Sequence, residues 1–202
     1  MKRTPNPDKL PKTARGRQTR EKLLQAAEIE FGNQGFHDAT VSGITSQAGV
    51  ALGTFYTYFE SKEEIYRALV GYMSHRVRSW IAERIADAPD RLSAERRGLH
   101  AYLDFVREHP GLYRIITEAE FVANDVFMEH YSGIARAYTA NLTTASERNE
   151  IRDGDFEVWS WALMGMMVFL GMRYGEWDLK TDPAEVARRA ASLIANGIAK
   201  KE

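Results

Sequence analysis

The chain has 202 residues, 44% of them hydrophobic, and a formal net charge of −1 at pH 7. This length allows one large or two small domains with a well-filled core. The absence of cysteine excludes disulfides, thiolate zinc sites and cysteine nucleophiles, and it fits a cytoplasmic protein. The longest uncharged run, 158–172, has fifteen residues, short of the ~20 that span a bilayer. The N-terminus lacks the apolar stretch of a secretory signal, so we expect neither export nor a membrane anchor.

Positive charge is concentrated at the start of the chain. Residues 1–20 carry seven Lys or Arg and a single Asp, so the remainder is acidic. A basic end on an acidic body is typical of a protein that presents that end to a polyanion. Pro5, Pro7 and Pro11 favour an unstructured segment, and we expect residues 1–15 to form a flexible basic arm. A disordered tail kept soluble by its charge is the alternative, and both interpretations can hold.

Apolar residues recur at helical spacing along the chain, and no segment alternates as a strand would. The first helix, 17–31, is closed by Gly32 and Gly35. The others are predicted at 40–48, 51–59, 61–87, 93–108, 112–118, 124–148, 155–177 and 183–200. The sequence therefore predicts an all-α protein.

Residues 40–58 predict two short helices joined by a tight turn. Thr40 is a good N-cap, because its hydroxyl can accept from an otherwise unpaired backbone N–H of the next turn. Gly49 stands where a helix ends in a left-handed conformation. Phe55 and Phe59 are four residues apart and would face inward. Two helices joined in this way form a helix-turn-helix, whose second helix enters the DNA major groove.

The outer face of the second helix is suited to DNA. It carries no acidic residue between Ala51 and Phe59. Threonines 54 and 57 can read base edges, and the hydroxyl groups of Tyr56 and Tyr58 can reach phosphate oxygens. Ser61 and Glu64 form a capping box that begins the next helix, with Lys62 at its N-terminus near a possible phosphate. A solvated Thr/Tyr-rich face in a protein that does not bind DNA is the alternative.

The run from Gly35 to Ile65, GFHDATVSGITSQAGVALGTFYTYFESKEEI, resembles the N-terminal domain of the TetR/AcrR family of bacterial transcriptional regulators. The similarity lies in G-F-x-x-A-T, A-G-V, G-T-x-Y-x-Y-F and S-K-E, and it extends back over 17–31. It implies a three-helix DNA-binding domain at 16–61 and an effector-binding and dimerisation domain at 62–202. The expected DNA contacts are Arg17, Thr40, Ser42, Ala51, Leu52, Gly53, Thr54, Tyr56, Thr57, Tyr58 and Lys62.

Two positions depart from the family pattern. Leu52 stands where a basic or polar residue is frequent, and Thr45 replaces a usual Ala. The Thr45 change is a minor matter of packing. We expect Leu52 to contact a thymine methyl group where the family often makes a polar contact.

The segment 155–177 is apolar nearly all round, so it must be covered on every side. One subunit cannot easily do so, whereas two-fold pairing that includes 183–200 can. The resemblance implies the same homodimer, in which the last two helices of each subunit form a four-helix bundle. A dimer also suits a helix-turn-helix, which reads two half-sites about one DNA turn apart.

The second half is rich in aromatic residues and methionine, which suit an adaptable apolar cavity as well as an ordinary core. The candidate ligand-binding residues are Tyr102, Phe105, Tyr113, Arg114, Phe121, Phe127, Tyr131, Trp159, Met164, Met167, Arg173 and Tyr174. Arg114 and Arg173 have largely apolar sequence neighbours. They could receive an anionic group, although ion pairs with Glu118 and Glu176 are the favoured expectation.

We expect a repressor that binds a palindromic operator as a dimer and is released by a hydrophobic, aromatic or acyl effector, with acyl-CoA among the candidates. An effector bound between helices 62–87 and 111–148 would tilt the long helix 62–87 and misplace the two DNA-binding domains of the dimer. No G-x-S-x-G, P-loop or H-E-x-x-H occurs, and the five histidines lack ligand spacing. We therefore expect no enzyme, cofactor or metal. A helical dimeric interaction protein without specific DNA binding is the alternative function.

Overall fold

The structure, a computed structural model, describes residues 11–198. Most of the predicted basic arm and the last two residues of the final predicted helix lie outside the described residues. The helices are α1 (Ala14–Asp38), α2 (Val41–Ala48), α3 (Leu52–Tyr58), α4 (Lys62–Ile85), α5 (Arg91–Glu108), α6 (Leu112–Val122), α7 (Asn124–Glu147), α8 (Phe156–Gly171), a π-helical segment (Met172–Trp177) and α9 (Pro183–Ile198). Residues 11–198 contain no β-strand, which confirms the all-α prediction. Within this range no helix combines the length and apolar character that crossing a bilayer requires.

The chain divides into two compact units. Among the described residues, the first contains 11–74 together with Gly111–His130, and the second contains His75–Pro110 and 131–198. These units do not coincide with the expected domains at 16–61 and 62–202. The beginning of α4, all of α6 and the beginning of α7 group with the helix-turn-helix.

Helix α1 is longer than the sequence predicts. The hydroxyl of Thr13 accepts from the backbone N–H of Gly16 at 3.1 Å, so the helix begins three residues before Arg17. It runs past Phe31, and the expectation that Gly32 closes it is wrong, because Gly32 is helical. The break falls at Gly35, whose φ of 77° is a conformation that glycine adopts readily.

Helix α6 packs closely on the end of α1 within the first unit. A Cβ atom on Gly111 would lie 2.6 Å from the Cα atom of Gly32. Gly111 also has a φ of 98°. Both observations require glycine at the start of α6, where the backbones of the two segments meet.

Aromatic rings fill the core of the first unit. Tyr66 lies edge-on to Phe31 with 4.9 Å between ring centroids and lies 4.9 Å from Phe36. Its hydroxyl donates to the carbonyl oxygen of Ile115. Burial raises the pKa of Tyr66, and the nearby Glu118 carboxylate raises it further. The remaining buried residues include Leu23, Leu24, Ile44, Phe55, Phe59, Ile65 and Leu69.

Two apolar clusters lie in the described part of the second unit. One contains Leu142, Ile151, Leu163 and Ile194, and the other contains Leu99, Leu103, Val186 and Ala187. A buried polar group lies beside them: Arg91 donates to Glu95, and the hydroxyl of Tyr138 donates to the same carboxylate. Burial and then the Glu95 charge raise the pKa of Tyr138 well above its ordinary value.

The predicted helix 155–177 changes character at Met172. Residues 172–177 form a wider π-helical turn, in which the N–H of Asp178 donates to the carbonyl oxygen of Arg173. The guanidinium of Arg107 donates to the carbonyl oxygens of Tyr174, Asp178 and Thr181. These bonds satisfy carbonyl groups that the widened helix end would otherwise leave unpaired.

Candidate nucleic-acid interface

Helices α2 and α3 form the predicted helix-turn-helix. The hydroxyl of Thr40 accepts from the backbone N–H of Gly43 at 2.9 Å, so Thr40 caps α2 as expected. Gly49 ends α2 with φ 65° and ψ 37°, the left-handed conformation that the sequence predicts. The N–H of Val50 then donates to the carbonyl oxygen of Thr45 at 3.1 Å, which closes the turn.

Helix α3 separates an apolar inner side from a polar outer side. Phe55 and Phe59 are buried in the first unit, as predicted. On the outer side, Leu52 and Tyr56 are each 51% exposed, and Thr57 is also exposed. No acidic side chain belongs to α3. The outer side therefore offers hydroxyl groups and one apolar side chain to a polyanion without charge repulsion.

The other expected DNA contacts on α2 and α3 are also accessible. Ala51 and Gly53 are exposed, whereas Thr54 and Tyr58 are half-buried. The hydroxyl of Tyr58 lies 3.6 Å from the place that a Cβ atom on Gly16 would occupy. Tyr58 thus reaches the first turn of α1, which the sequence did not indicate.

The basic residues of α1 lie in two different environments. Arg17 is exposed, and its Nη1 donates to the carbonyl oxygen of Lys12 at 3.0 Å. Because a guanidinium has five N–H donors, this bond leaves Arg17 able to contact a phosphate. Arg20 was not among the expected site residues. It lies 5.3 Å from the ring centroid of Phe59, and burial lowers its pKa while Glu64 opposes that change.

Lys62 makes contacts that the sequence did not suggest. Its Nζ donates to the carbonyl oxygens of Phe36, His37 and Ala39 at 2.6, 2.9 and 2.9 Å. It also lies 4.7 Å from the ring centroid of Phe36. An ammonium group has only three N–H donors, and all three are used. The expected direct phosphate contact is therefore not supported by this geometry: Lys62 holds the end of α1 near the helix-turn-helix.

The capping box before α4 is confirmed in a modified form. The hydroxyl of Ser61 accepts from the N–H of Glu64 at 3.1 Å. The Glu64 carboxylate accepts from the backbone N–H of Glu60, one residue earlier than the box requires. Lys62 is the first residue of this helix, so the cap fixes the backbone position from which its side chain extends.

Two side chains of α6 hold the same end of α1. Arg114 donates to the carbonyl oxygens of Gly32 and Asn33 at 3.3 and 2.7 Å. Glu118 accepts from the backbone N–H of Phe36 at 2.7 Å. The expected ion pair between Arg114 and Glu118 is thus wrong, because each has a backbone partner on α1. No sequence signal marks these contacts, since the partners lie 81 and 82 residues away.

The candidate ligand-binding residues fall into both units. Four of them, Tyr113, Arg114, Phe121 and Phe127, belong to the first unit, and the other eight belong to the second. Arg114 and Arg173 are both exposed, so neither has the largely apolar surroundings that the sequence suggested. Arg173 pairs with Asp178 at 3.4 Å, and not with Glu176.

Several other candidates in the second unit have core partners. Phe105 is buried and lies 4.2 Å from His109 between ring centroids. Trp159 packs against Phe156 and lies 4.3 Å from the guanidinium of Arg152. Met167 and Tyr174 pack against the cluster that contains Leu99 and Leu103, and Met164 is buried. Tyr102 and Tyr131 are half-buried.

The comparisons with known proteins agree with the geometry of the first unit. A family model described as bacterial regulatory proteins of the tetR family matches residues 23–69, which contain α2, α3 and parts of α1 and α4. Over these residues the chain is similar to TetR-family regulators, and this similarity supports a transcriptional regulator of that type.

Similarity to a curated transcriptional regulator extends over nearly the whole length of the chain. It is 29% identical over 193 residues to the uncharacterized HTH-type transcriptional regulator YdgC of Bacillus subtilis, covering 93% of this chain and 96% of YdgC. The fatty acid degradation regulator FadR of Bacillus halodurans has a similar fold, with a TM-score of 0.76 at 22% identity, over 88% of this chain and 98% of FadR. FadR of Bacillus subtilis, solved in complex with stearoyl-CoA, gives a TM-score of 0.75 at 22% identity over the same shares.

The contacts of Lys62 lead to a testable prediction. Lys62→Met should lower the free energy of unfolding by about 1–3 kcal/mol, because three carbonyl groups lose their donor. It should leave unchanged the slope of log K for DNA against log salt concentration, since no phosphate contact is lost. Arg17→Ala, the control, should reduce the magnitude of that slope by about 0.9 without a comparable loss of stability. Urea denaturation and DNA titrations at several salt concentrations measure both quantities; a reduced slope with unchanged stability for Lys62→Met would contradict this interpretation.

Proposed function

We propose that this chain is a ligand-responsive repressor of the TetR family that binds a palindromic operator as a homodimer and is released by a hydrophobic effector. The observation that carries the proposal is the exposed, acid-free side of α3, held by the glycine-ended turn after α2. Such a protein acts where the bacterial chromosome is, in the cytoplasm. The alternative is a helical dimeric interaction protein that does not bind DNA specifically.

The expected DNA contacts of α1 and α3 fall into two groups by their chemistry. Leu52, Thr54 and Thr57 provide a methyl-contacting group and two hydroxyls, which suit base edges in the major groove. Tyr56 and Arg17 provide a phenol and a guanidinium, which suit phosphate oxygens. Tyr58 lies against the first turn of α1 and supports that face.

The N-terminus of α2 adds a second place for backbone phosphate. Ser42 is exposed there, next to the exposed Thr40 cap. A serine hydroxyl at this position can donate to a phosphate oxygen. Contacts of this kind would fix how α3 enters the groove without reading the sequence.

Two substitutions on α3 test this assignment. A duplex selected by the wild-type protein from a random library serves as the operator. Leu52→Ala should cost about 1 kcal/mol at the selected site and relax the preference for thymine at one position of each half-site. Tyr56→Phe removes one hydroxyl group and should weaken binding to all sequences by a similar factor. Repeated selection and gel-shift titration measure both effects. Failure of the wild-type protein to enrich any sequence would favour the interaction protein instead.

Helices α8 and α9 carry the exposed apolar surface expected of a dimer interface. Both contribute to one core cluster, through Leu163 and Ile194. On its other side α8 exposes Val158, Trp161 and Phe169, and Phe169 is 71% exposed in the single chain. Leu193 of α9 is also exposed. A second copy is the occupant we propose, since an operator with two half-sites requires two reading heads related by a two-fold axis.

The dimer is tested by a charge on this surface. Phe169→Glu should convert the protein to a monomer in sedimentation equilibrium, because two carboxylates would be buried near the two-fold axis. Its operator affinity should fall by at least about tenfold, since one half-site then binds alone. Phe121→Glu is the matched control, because Phe121 is 83% exposed but belongs to α6. A dimeric Phe169→Glu variant would contradict the proposal.

For the effector, we propose an acyl or aromatic compound, with a long-chain acyl-CoA as the specific candidate. The half-buried aromatic residues and methionines of the second unit, including Tyr131 and Met167, suit an apolar chain. The fold is shared with a regulator solved with stearoyl-CoA, although at 22% identity that likeness concerns the fold alone.

Release requires that the effector prefer the conformation that does not bind DNA. Helix α6 offers a route, because its Arg114 and Glu118 hold the end of α1 in the same unit as the reading helices. A ligand that shifts α6 would remove these bonds and loosen the position of α1. A coupling of ~1–3 kcal/mol changes the operator affinity about 5- to 150-fold.

A thermal-shift screen followed by competition with operator DNA tests the effector. Stearoyl-CoA should raise the melting temperature and displace the operator duplex, because a ligand that binds only the folded protein stabilises it. Free coenzyme A is the control and should do neither. If acyl-CoAs and aromatic acids all leave the melting temperature and the operator affinity unchanged, this effector class is wrong.

A further inference from the structure

The cap at the N-terminus of α2 is incomplete in sequence. Thr40 is the N-cap residue, and its hydroxyl accepts from the N–H of Gly43. In a complete capping box the residue at the position of Gly43 is Glu or Gln, and its side chain accepts from the N–H of the N-cap residue. Gly43 has no side chain for this, so the helix's own sequence leaves the N–H of Thr40 without an acceptor.

Glu30 of α1 provides the missing acceptor. Its Oε1 accepts from the backbone N–H of Thr40 at 3.1 Å. Its Oε2 accepts from the side-chain amide of Gln47 at 3.4 Å. A Cβ atom on Gly43 would lie 2.6 Å from the carboxyl carbon of Glu30 and nearer still to Oε1. The carboxylate thus rests on the first turn of α2, where the helix dipole favours negative charge.

We infer that Glu30 is a positioning residue for DNA binding, which supplies the capping acid of α2 from α1 and so fixes one helix on the other. This inference rests on the proposed function. Arg17 on α1 and Ser42 on α2 are expected phosphate contacts, and both can act together only at one relative placement of their helices. Between Glu30 and Thr40 the chain breaks its helix at Gly35, so local backbone stiffness does not set that placement.

Several other side-chain caps in the described part of the chain are local, whereas Glu150 also reaches the N–H of Arg91 at the start of α5 from outside that helix. Thr13, Asp90 and Asp155 each accept from the N–H three residues ahead and need no second helix. Glu64 completes its cap from within its own helix. The acid that caps α2 instead comes from a neighbouring helix, and Gly43 leaves the space for it. Glu30, in the space left by Gly43, therefore ties two helices together, whereas a local cap would satisfy α2 alone.

The first experiment is a double-mutant cycle on operator affinity, with the duplex that the wild-type protein selects. Glu30→Ala and Gly43→Ala should each weaken specific binding on the order of tenfold. The double variant should be no weaker than either single one, because alanine at position 43 acts only by displacing the carboxylate. The matched controls are Gln25→Ala, at an exposed position of α1, and Gly71→Ala, whose added Cβ would have open space. Both should bind normally. Additive losses, or normal binding by Glu30→Ala, would overturn the inference.

A second variant separates tying the helices from capping α2. Glu30→Ala combined with Gly43→Glu moves the carboxylate onto α2 and keeps the net charge. This variant should recover the melting temperature lost in Glu30→Ala, because the capping box is then complete. It should not recover operator affinity, because α1 and α2 are no longer joined. Recovery of both would show that Glu30 only caps the helix, and the inference would be wrong. A wild-type protein that binds no DNA would instead refute the proposed function.

Discussion

The position of the helix-turn-helix, α2 and α3, depends on how the end of α1 is held. Five carbonyl oxygens between Gly32 and Ala39 accept from just two side chains, Lys62 and Arg114. A helix end leaves its last carbonyl groups unpaired and carries partial negative charge, so two cations there satisfy both requirements. Glu118 completes the arrangement by accepting from the N–H of Phe36. The chain can therefore turn at Gly35 and lead into α2 at a defined angle.

Beyond this end of α1, local interactions determine the structure of α2 and α3. Thr40 begins α2 and Gly49 ends it, and two buried phenylalanines hold the inner side of α3 in the core. What remains on the outer side is exposed and free of acid. The same contacts group α6 with the reading helices, although along the chain α6 follows α5 of the second unit. A displacement of α6 would therefore break contacts at the end of α1 before it affected α3.

Sequence reasoning succeeded where the cause of a structure lies within a few residues. The caps at Thr40 and Gly49 and the inward side of α3 were predicted correctly, because hydroxyl, glycine and helical spacing act locally. It did not anticipate contacts that a side chain makes at long range. Lys62 was expected to meet a phosphate, but its carbonyl partners lie 23 to 26 residues earlier, and no pattern in sequence marks them. The π-helical turn after α8 depends on Arg107, 67 residues before Tyr174, and was missed for the same reason.

The candidate ligand residues show the limit of composition. Aromatic residues and methionines mark an apolar interior, but they do not distinguish a cavity wall from a packed core. Phe105 and Met164 are core in the structure, whereas Phe121 is exposed. Arg114 was singled out because its sequence neighbours are apolar, yet its guanidinium lies on the carbonyl groups of another helix. Those contacts depend on how the helices pack, which sequence spacing does not determine.

We propose that the outer side of α3 enters the major groove of duplex DNA, twice in each dimer. Methylation protection on the selected operator tests it most directly, because dimethyl sulfate reports guanine N7 in the major groove and adenine N3 in the minor groove. We expect two patches of protected guanine N7, about one helical turn apart, with adenine N3 in those patches still reactive. Protection confined to adenine N3, or a single patch, would contradict the account.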